Sequence, residues 1–139
     1  MNFDLFNPFF RLNSTQKGRW GERKAGQYLK KKGFKIITKN YRKPWGEIDV
    51  VAQKGETVHF IEVKSLNIDV EKRRMDQGDY YGPEDNLHQI KIKKLIKVIE
   101  TYCLEKGIDD GSWQVDAILI RFDKNNGQVL SLEYWPEII

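Results

Sequence analysis

Two stretches, Gly46-Glu47-Ile48-Asp49-Val50-Val51-Ala52 and Val58-His59-Phe60-Ile61-Glu62-Val63-Lys64, decide how this chain is read. Both are rich in β-branched and aromatic residues and both are interrupted by acids, so each reads as a strand carrying polar side chains at chosen positions. Gln53-Lys54-Gly55-Glu56 between them is a plausible hairpin turn. Side chains alternate faces along a strand, so Glu47, Asp49 and Val51 are expected to share one side. Phe60, Glu62 and Lys64 share one side of the next strand by the same rule. A four-residue loop at 54–57 pairs Gln53 with Val58 and, counted back, Asp49 with Glu62, their Cβ atoms about 5 Å apart. Lys64 falls one step further along the same face.

Two facing carboxylates repel unless something positive lies between them. A hard divalent cation, Mg²⁺ or Mn²⁺, suits that position, because such ions take oxygen ligands from one or two carboxylates, water and substrate phosphate. The ion polarises a phosphodiester and lowers the pKa of a bound water. Lys64 is placed to orient that water or to offset charge building on the phosphate. An ordinary solvated salt bridge uses the same three residue types. The apolar strands around both carboxylates and the glycine that precedes them favour the metal reading.

Working outward, Ser14 or Thr15 caps a helix running to about Lys32, with Gly33 as its stop. Its inward stripe is Gly18, Gly21, Glu22, Ala25, Tyr28 and Leu29. Glu22 stands out there, because an unpaired buried charge is costly. Phe34–Thr38 reads as a short strand. Residues 65–86 read as a polar loop of no clear period, a length that in a small domain is usually functional or disordered. Glu84–Lys106 is a helix with the stripe Leu87, Ile90, Leu95, Val98, Ile99 and Tyr102, ended by Gly107. Trp113–Phe122 is apolar on both faces and therefore central. Val129–Tyr134 is the last strand. The order gives an α/β or α+β domain with one mixed sheet flanked by helices.

The 139 residues fit one domain, 14–139, preceded by an aromatic arm over 1–13 that holds Phe3, Phe6, Phe9 and Phe10. Asp4 and Pro8 make that arm unlike a secretory signal, and no stretch approaches a membrane span, so no membrane partner is expected. Its phenylalanines either pack on the domain's own core or meet a partner. The single cysteine, Cys103, excludes a disulfide framework and a CxxC zinc site, and a reduced cytoplasmic setting is the default expectation. The net charge is +4 with pI near 9.1, but its distribution is more telling. Residues 23–46 carry repeated Lys and Arg and no acid, and Lys91, Lys93, Lys94 and Lys97 form a second basic run. Such clusters attract phosphate backbones, although solvated lysine faces have the same composition. His59 and His88 lack partners at metal-ligand spacing and read as structural or surface residues. Trp20, Trp45, Trp113 and Trp135 read as core or rim packing, with Trp45 also a candidate for base stacking.

Gly18-x-x-Gly21-Glu22-x-x-Ala25-x-x-Tyr28-Leu29, then Asn40-Tyr41-Arg42, Gly46 to Ala52 and Phe60 to Lys64 resemble the bacterial YraN family (UPF0102). Leu87, Lys91 and Asp116 extend the match. That family is similar to Holliday-junction resolvases and to restriction-endonuclease-like PD-(D/E)xK nucleases. The resemblance implies an α-β-β-β-α-β core with a central mixed sheet. It implies that Asp49, Glu62 and the Val63 carbonyl hold the metal, that Lys64 is the catalytic lysine, and that Glu22 completes the site. Leu66 stands where the family often has an arginine, which bears on substrate contacts. Arg42, Lys43, Lys91 and Lys94 would follow a nucleic-acid backbone without reading sequence. The leading expectation is a Mg²⁺-dependent endonuclease acting on structured or branched DNA, with a homodimer as one candidate assembly. The alternative is a non-catalytic nucleic-acid-binding accessory protein that retains the nuclease fold.

Overall fold

A computed structural model describes residues 14–71 and 92–139. In chain order the elements are helix α1 (Ser14–Lys31), strands β1 (Lys35–Lys43), β2 (Gly46–Lys54) and β3 (Thr57–Ile68), helix α2 (Ile92–Lys106), and strands β4 (Trp113–Asp123) and β5 (Val129–Trp135). This is the expected α-β-β-β-α-β order with one further strand, an α/β fold. The arm over 1–13, His88, Lys91 and the helical turns expected over 84–91 lie outside the described residues.

The sheet runs β1-β2-β3-β4-β5, antiparallel throughout except for the parallel pair β3 and β4. That pair is joined by the crossover containing α2, as a parallel connection requires. Strand β4 is buried from Val115 to Phe122 and lies inside the sheet between β3 and β5, one place from its centre. Gln53 pairs with Val58 as expected, but the loop is only Gly55 and Glu56, because Lys54 and Thr57 already belong to the ladder. Gly55 takes φ +61, the left-handed geometry that a two-residue hairpin favours.

Two strands outrun their local sequence signals. β1 continues past Thr38 to Lys43, and its pairing with β2 through Lys43↔Gly46 outweighs the weak strand propensity of Lys39 and Asn40. β3 continues past Lys64 to Ile68, paired with β4 up to Asp123, so residues 65–68 are strand rather than the start of the polar loop.

Each face of the sheet carries one core. Ile48, Val51, Phe60, Val115 and Ala117 pack under Leu95, Val98, Ile99, Tyr102 and Cys103 of α2. Val50, Ala52, Ile61, Ile118, Ile120 and Phe122 pack under Ala25 and Leu29 of α1. Gly21 lets α1 settle against the sheet: a Cβ there would fall 2.0 Å from Ser65 Oγ and 3.5 Å from the Phe122 ring.

Candidate metal centre

The cores reveal an irregularity at the position that matters most. Ile48 belongs to the α2 side and Val50 to the α1 side, although strict alternation puts both on one face. The alternation therefore reverses across Asp49, and the expectation that Glu47, Asp49 and Val51 share a face is corrected. Opposite Asp49 stands Asn40, between the pairs Lys39↔Val50 and Tyr41↔Ile48. Asn40 has φ +55, a conformation that asparagine tolerates better than most residues. The regular β2–β3 register runs from Lys54↔Thr57 to Val50↔Ile61, so Asp49 sits where the two strands begin to part.

This distortion turns Glu47 and Asp49 toward α1. One carboxylate oxygen from each of Glu22, Glu47 and Asp49 lies within 4.8 Å of the others, and all three residues are half-buried. Asn40 hydrogen-bonds to the Glu22 side chain, tying the irregular strand to the helix. Burial raises the Glu22 carboxyl above its ordinary range, and the Asn40 bond opposes that rise.

Asp49 is also joined to Glu62. Its Oδ2 accepts the Val63 N–H at 2.8 Å, and its side chain and backbone act directly on the Glu62 carboxyl. Burial is the main cause that raises both carboxyls above the ordinary range, and their mutual repulsion adds to it for Glu62. The nearby Lys64 charge acts the other way on Glu62. Glu62 Oε1 remains buried with no hydrogen-bond partner. The pair is held in place by the strands yet left electrostatically incomplete, which is the state a cation would relieve. Because N–H and C=O of a strand residue leave on the same edge, the Val63 carbonyl is turned toward the Asp49 side as well. The donor set of carboxylates and a carbonyl is all oxygen and fits Mg²⁺ or Mn²⁺.

Asp49, Glu62, Lys64 and Glu22 are thus brought together. Glu47 and Asn40 are the residues that sequence reasoning missed as parts of the site. Glu47 was visible as the i−2 neighbour of Asp49, whereas Asn40 had only the motif Asn40-Tyr41-Arg42 as a signal. The basic residues are less uniform. Arg42 pairs with Glu47 at 2.9 Å, and Lys43 pairs with Glu105 at 2.6 Å, where Tyr41 also donates at 2.7 Å. Lys94 is exposed on α2.

A second buried carboxylate lies among residues of the α1-side face. Asp116, fully buried, accepts from Tyr134 (2.5 Å), Gln114 (2.9 Å) and the Glu137 N–H (3.0 Å), and meets His59 Nδ1 at 2.6 Å. His59 is therefore structural, as expected, and stacks edge-on with Phe34.

Four acids, Glu22, Glu47, Asp49 and Glu62, thus gather with Lys64 where β2 leaves β3, on an α-β-β-β-α-β frame. The model described as Uncharacterised protein family UPF0102 matches residues 21–123, and the chain belongs to that family. A UPF0102 protein of Campylobacter jejuni is 42% identical over 106 residues, covering 76% of this chain and 84% of the relative. Another from Wolinella succinogenes is 35% identical over 108 residues, covering 78% and 88%. Among solved structures, the FdxN element excision controlling factor protein from Anabaena variabilis is similar at TM-score 0.32 and 11% identity, covering 82% of this chain and 98% of that one. SfsA of Pyrococcus furiosus in complex with Ca²⁺ matches at TM-score 0.34 and 12% identity, covering 89% and 64%. Both structural likenesses are too slight to carry a functional inference. No described helix is long and apolar enough to cross a membrane.

Proposed function

We propose that this protein is a divalent-metal-dependent phosphodiesterase that cuts DNA, with structured or branched DNA as its preferred substrate. The observation that carries this reading is the buried, interacting pair Asp49 and Glu62, in which Glu62 Oε1 has no hydrogen-bond partner and Asp49 stands beside the oxygens of Glu22 and Glu47. A purely structural acid pair would be expected to find donors, as Asp116 does.

In this reading Asp49, Glu62 and the Val63 carbonyl hold Mg²⁺ or Mn²⁺, and Glu22 and Glu47 complete the acidic rim. The ion, when bound, supplies Lewis-acid activation of phosphate and water. Lys64 orients the attacking water and offsets charge on the reacting phosphate. Asn40 is a positioning residue that acts through Glu22. Arg42 and Lys94 attract the DNA backbone, the former while tethered to Glu47.

The test is cleavage of duplex, flap, single-stranded and four-way-junction DNA with Mg²⁺ or Mn²⁺. Cutting that requires the ion and disappears in Asp49→Ala supports the reading. Absence of any Asp49-dependent cutting, with salt-sensitive DNA binding retained in both proteins, would leave a non-catalytic binding protein instead.

A further inference from the structure

Trp45 lies on the link between β1 and β2 and is 40% exposed, whereas Trp20, Trp113 and Trp135 pack against the cores. It is nevertheless held in place. Its indole N–H donates to Thr101 Oγ1 at 3.3 Å, and that hydroxyl donates to the Lys97 carbonyl at 3.0 Å. The Lys97 ammonium stands 5.9 Å from the ring centroid. Pro44, Trp45, Gly46, Lys93, Lys94 and Lys97 line an open cleft of about 480 Å³. Lys93, Lys94 and Lys97 are exposed, and among the described residues none has a carboxylate within ion-pair distance. Arg42 and Lys43 differ, since Glu47 and Glu105 already engage them.

Lysines of α2 and the start of β2 form the cleft, whereas Glu47 and Asp49 turn toward α1. Gly46 lines the cleft, Glu47 follows in the chain, and Asp49 is three residues on, a reach of about 10 Å along an extended strand.

Three lysines alone would hold paired and unpaired DNA alike, because both present phosphates. A fixed indole beside them adds a requirement that only one of the two meets. Bases inside a duplex have both faces covered by their neighbours, whereas an unpaired base offers a free face for stacking. We infer that the Trp45 cleft takes an unpaired nucleobase of the DNA, stacked on the indole, with its flanking phosphates on Lys94 and Lys97. This rests on the nuclease reading for the choice of DNA. It makes a strand with unpaired nucleotides, as at a branch or overhang, the preferred ligand over continuous duplex.

The experiment is fluorescence anisotropy with a labelled single strand and a blunt duplex of equal length, in EDTA, so that binding is read without cleavage. Trp45→Leu is expected to lose about tenfold in single-strand affinity, the scale of one stacked base. Its duplex affinity should change less than about twofold, and Trp45→Phe should recover most of the loss. Lys97→Ala should weaken both and lower the salt dependence by about one phosphate contact. Circular dichroism verifies that each variant is folded. Equal losses on both DNAs, no loss on either, or no DNA binding at low salt would overturn the cleft's role. Selective loss without Mn²⁺-dependent cleavage of any DNA would retain the cleft and remove the nuclease. Asp49-dependent cleavage with Trp45→Leu indifferent to strandedness would do the reverse.

Discussion

The sheet buries carboxylates in two places and treats them in opposite ways. Asp116 has four partners: His59, Tyr134, Gln114 and the Glu137 amide. Such an arrangement ties β3, β4, β5 and the C-terminal segment together, and fully satisfied buried networks specify a packing. Asp49 and Glu62 face one another, both carboxyls are raised, and one Glu62 oxygen has no partner. The first arrangement is complete within the fold; the second leaves a carboxylate oxygen unsatisfied. The contrast is what supports the proposed site: its acids are the ones that the fold holds but does not satisfy.

The strongest way to break this comparison is at Asp116. Asp116→Ala leaves four groups without their acceptor and is expected to cost about 3–5 kcal/mol in urea unfolding. A cost under about 1 kcal/mol would mean that the network is not the structural tie described above.

Lys64→Met should do the opposite. Cleavage in Mn²⁺ is expected to fall about a hundredfold, the size of losing one charge-stabilising group, while the unfolding free energy moves by about 1 kcal/mol or less. A variant that unfolds readily but cuts normally would reassign Lys64 to the scaffold.

Metal addition sharpens the contrast further. Mn²⁺ at about a hundred times its dissociation constant should stabilise the protein by about 2.7 kcal/mol. Protons compete with the ion for the raised carboxyls, so the gain should be larger at pH 8 than at pH 6. Thermal shifts that are equal at the two pH values would contradict this.

Without divalent ions the sign runs the other way. A carboxyl whose folded pKa is raised contributes stability that is fully present below its unfolded value, about 4, and is lost as pH rises through the folded value. Glu62→Gln mimics the protonated form. It should match the wild type in acid and become more stable by about 1 kcal/mol near pH 8, measured in EDTA. A gap that closes with rising pH would show that Glu62 is already compensated. The smallest effect is expected at Arg42→Ala, where the exposed pair with Glu47 is worth under about 0.5 kcal/mol by chemical unfolding.

Much of this was legible along the chain because it depends on local periods. The apolar runs over 46–52 and 58–64 defined two strands, the two-sided run over 113–122 defined an interior one, and the Gly21, Ala25 and Leu29 spacing defined the packed face of α1. Glu22 was conspicuous as an acid within an apolar stripe. The lengths of β1 and β3 were not legible, since Lys39–Lys43 and Ser65–Ile68 are strand only because Gly46–Val50 and Ile120–Asp123 lie beside them. The Asp116 network was hidden for a similar reason, its members being separated by up to 57 residues for the His59 pair alone.

The candidate site on β2 and β3 divides along the same line. By itself the sequence determined the residue types, the hairpin register from Gln53↔Val58, and the encounter of Asp49 with Glu62, because alternation and turn length are properties of a few consecutive residues. Only the tertiary structure decided that Asp49 turns toward α1, that Asn40 anchors Glu22, and that Glu47 joins the acids. Those features depend on an irregularity opposite Asn40, and a break in alternation becomes visible only when the neighbouring strand and helix are in place.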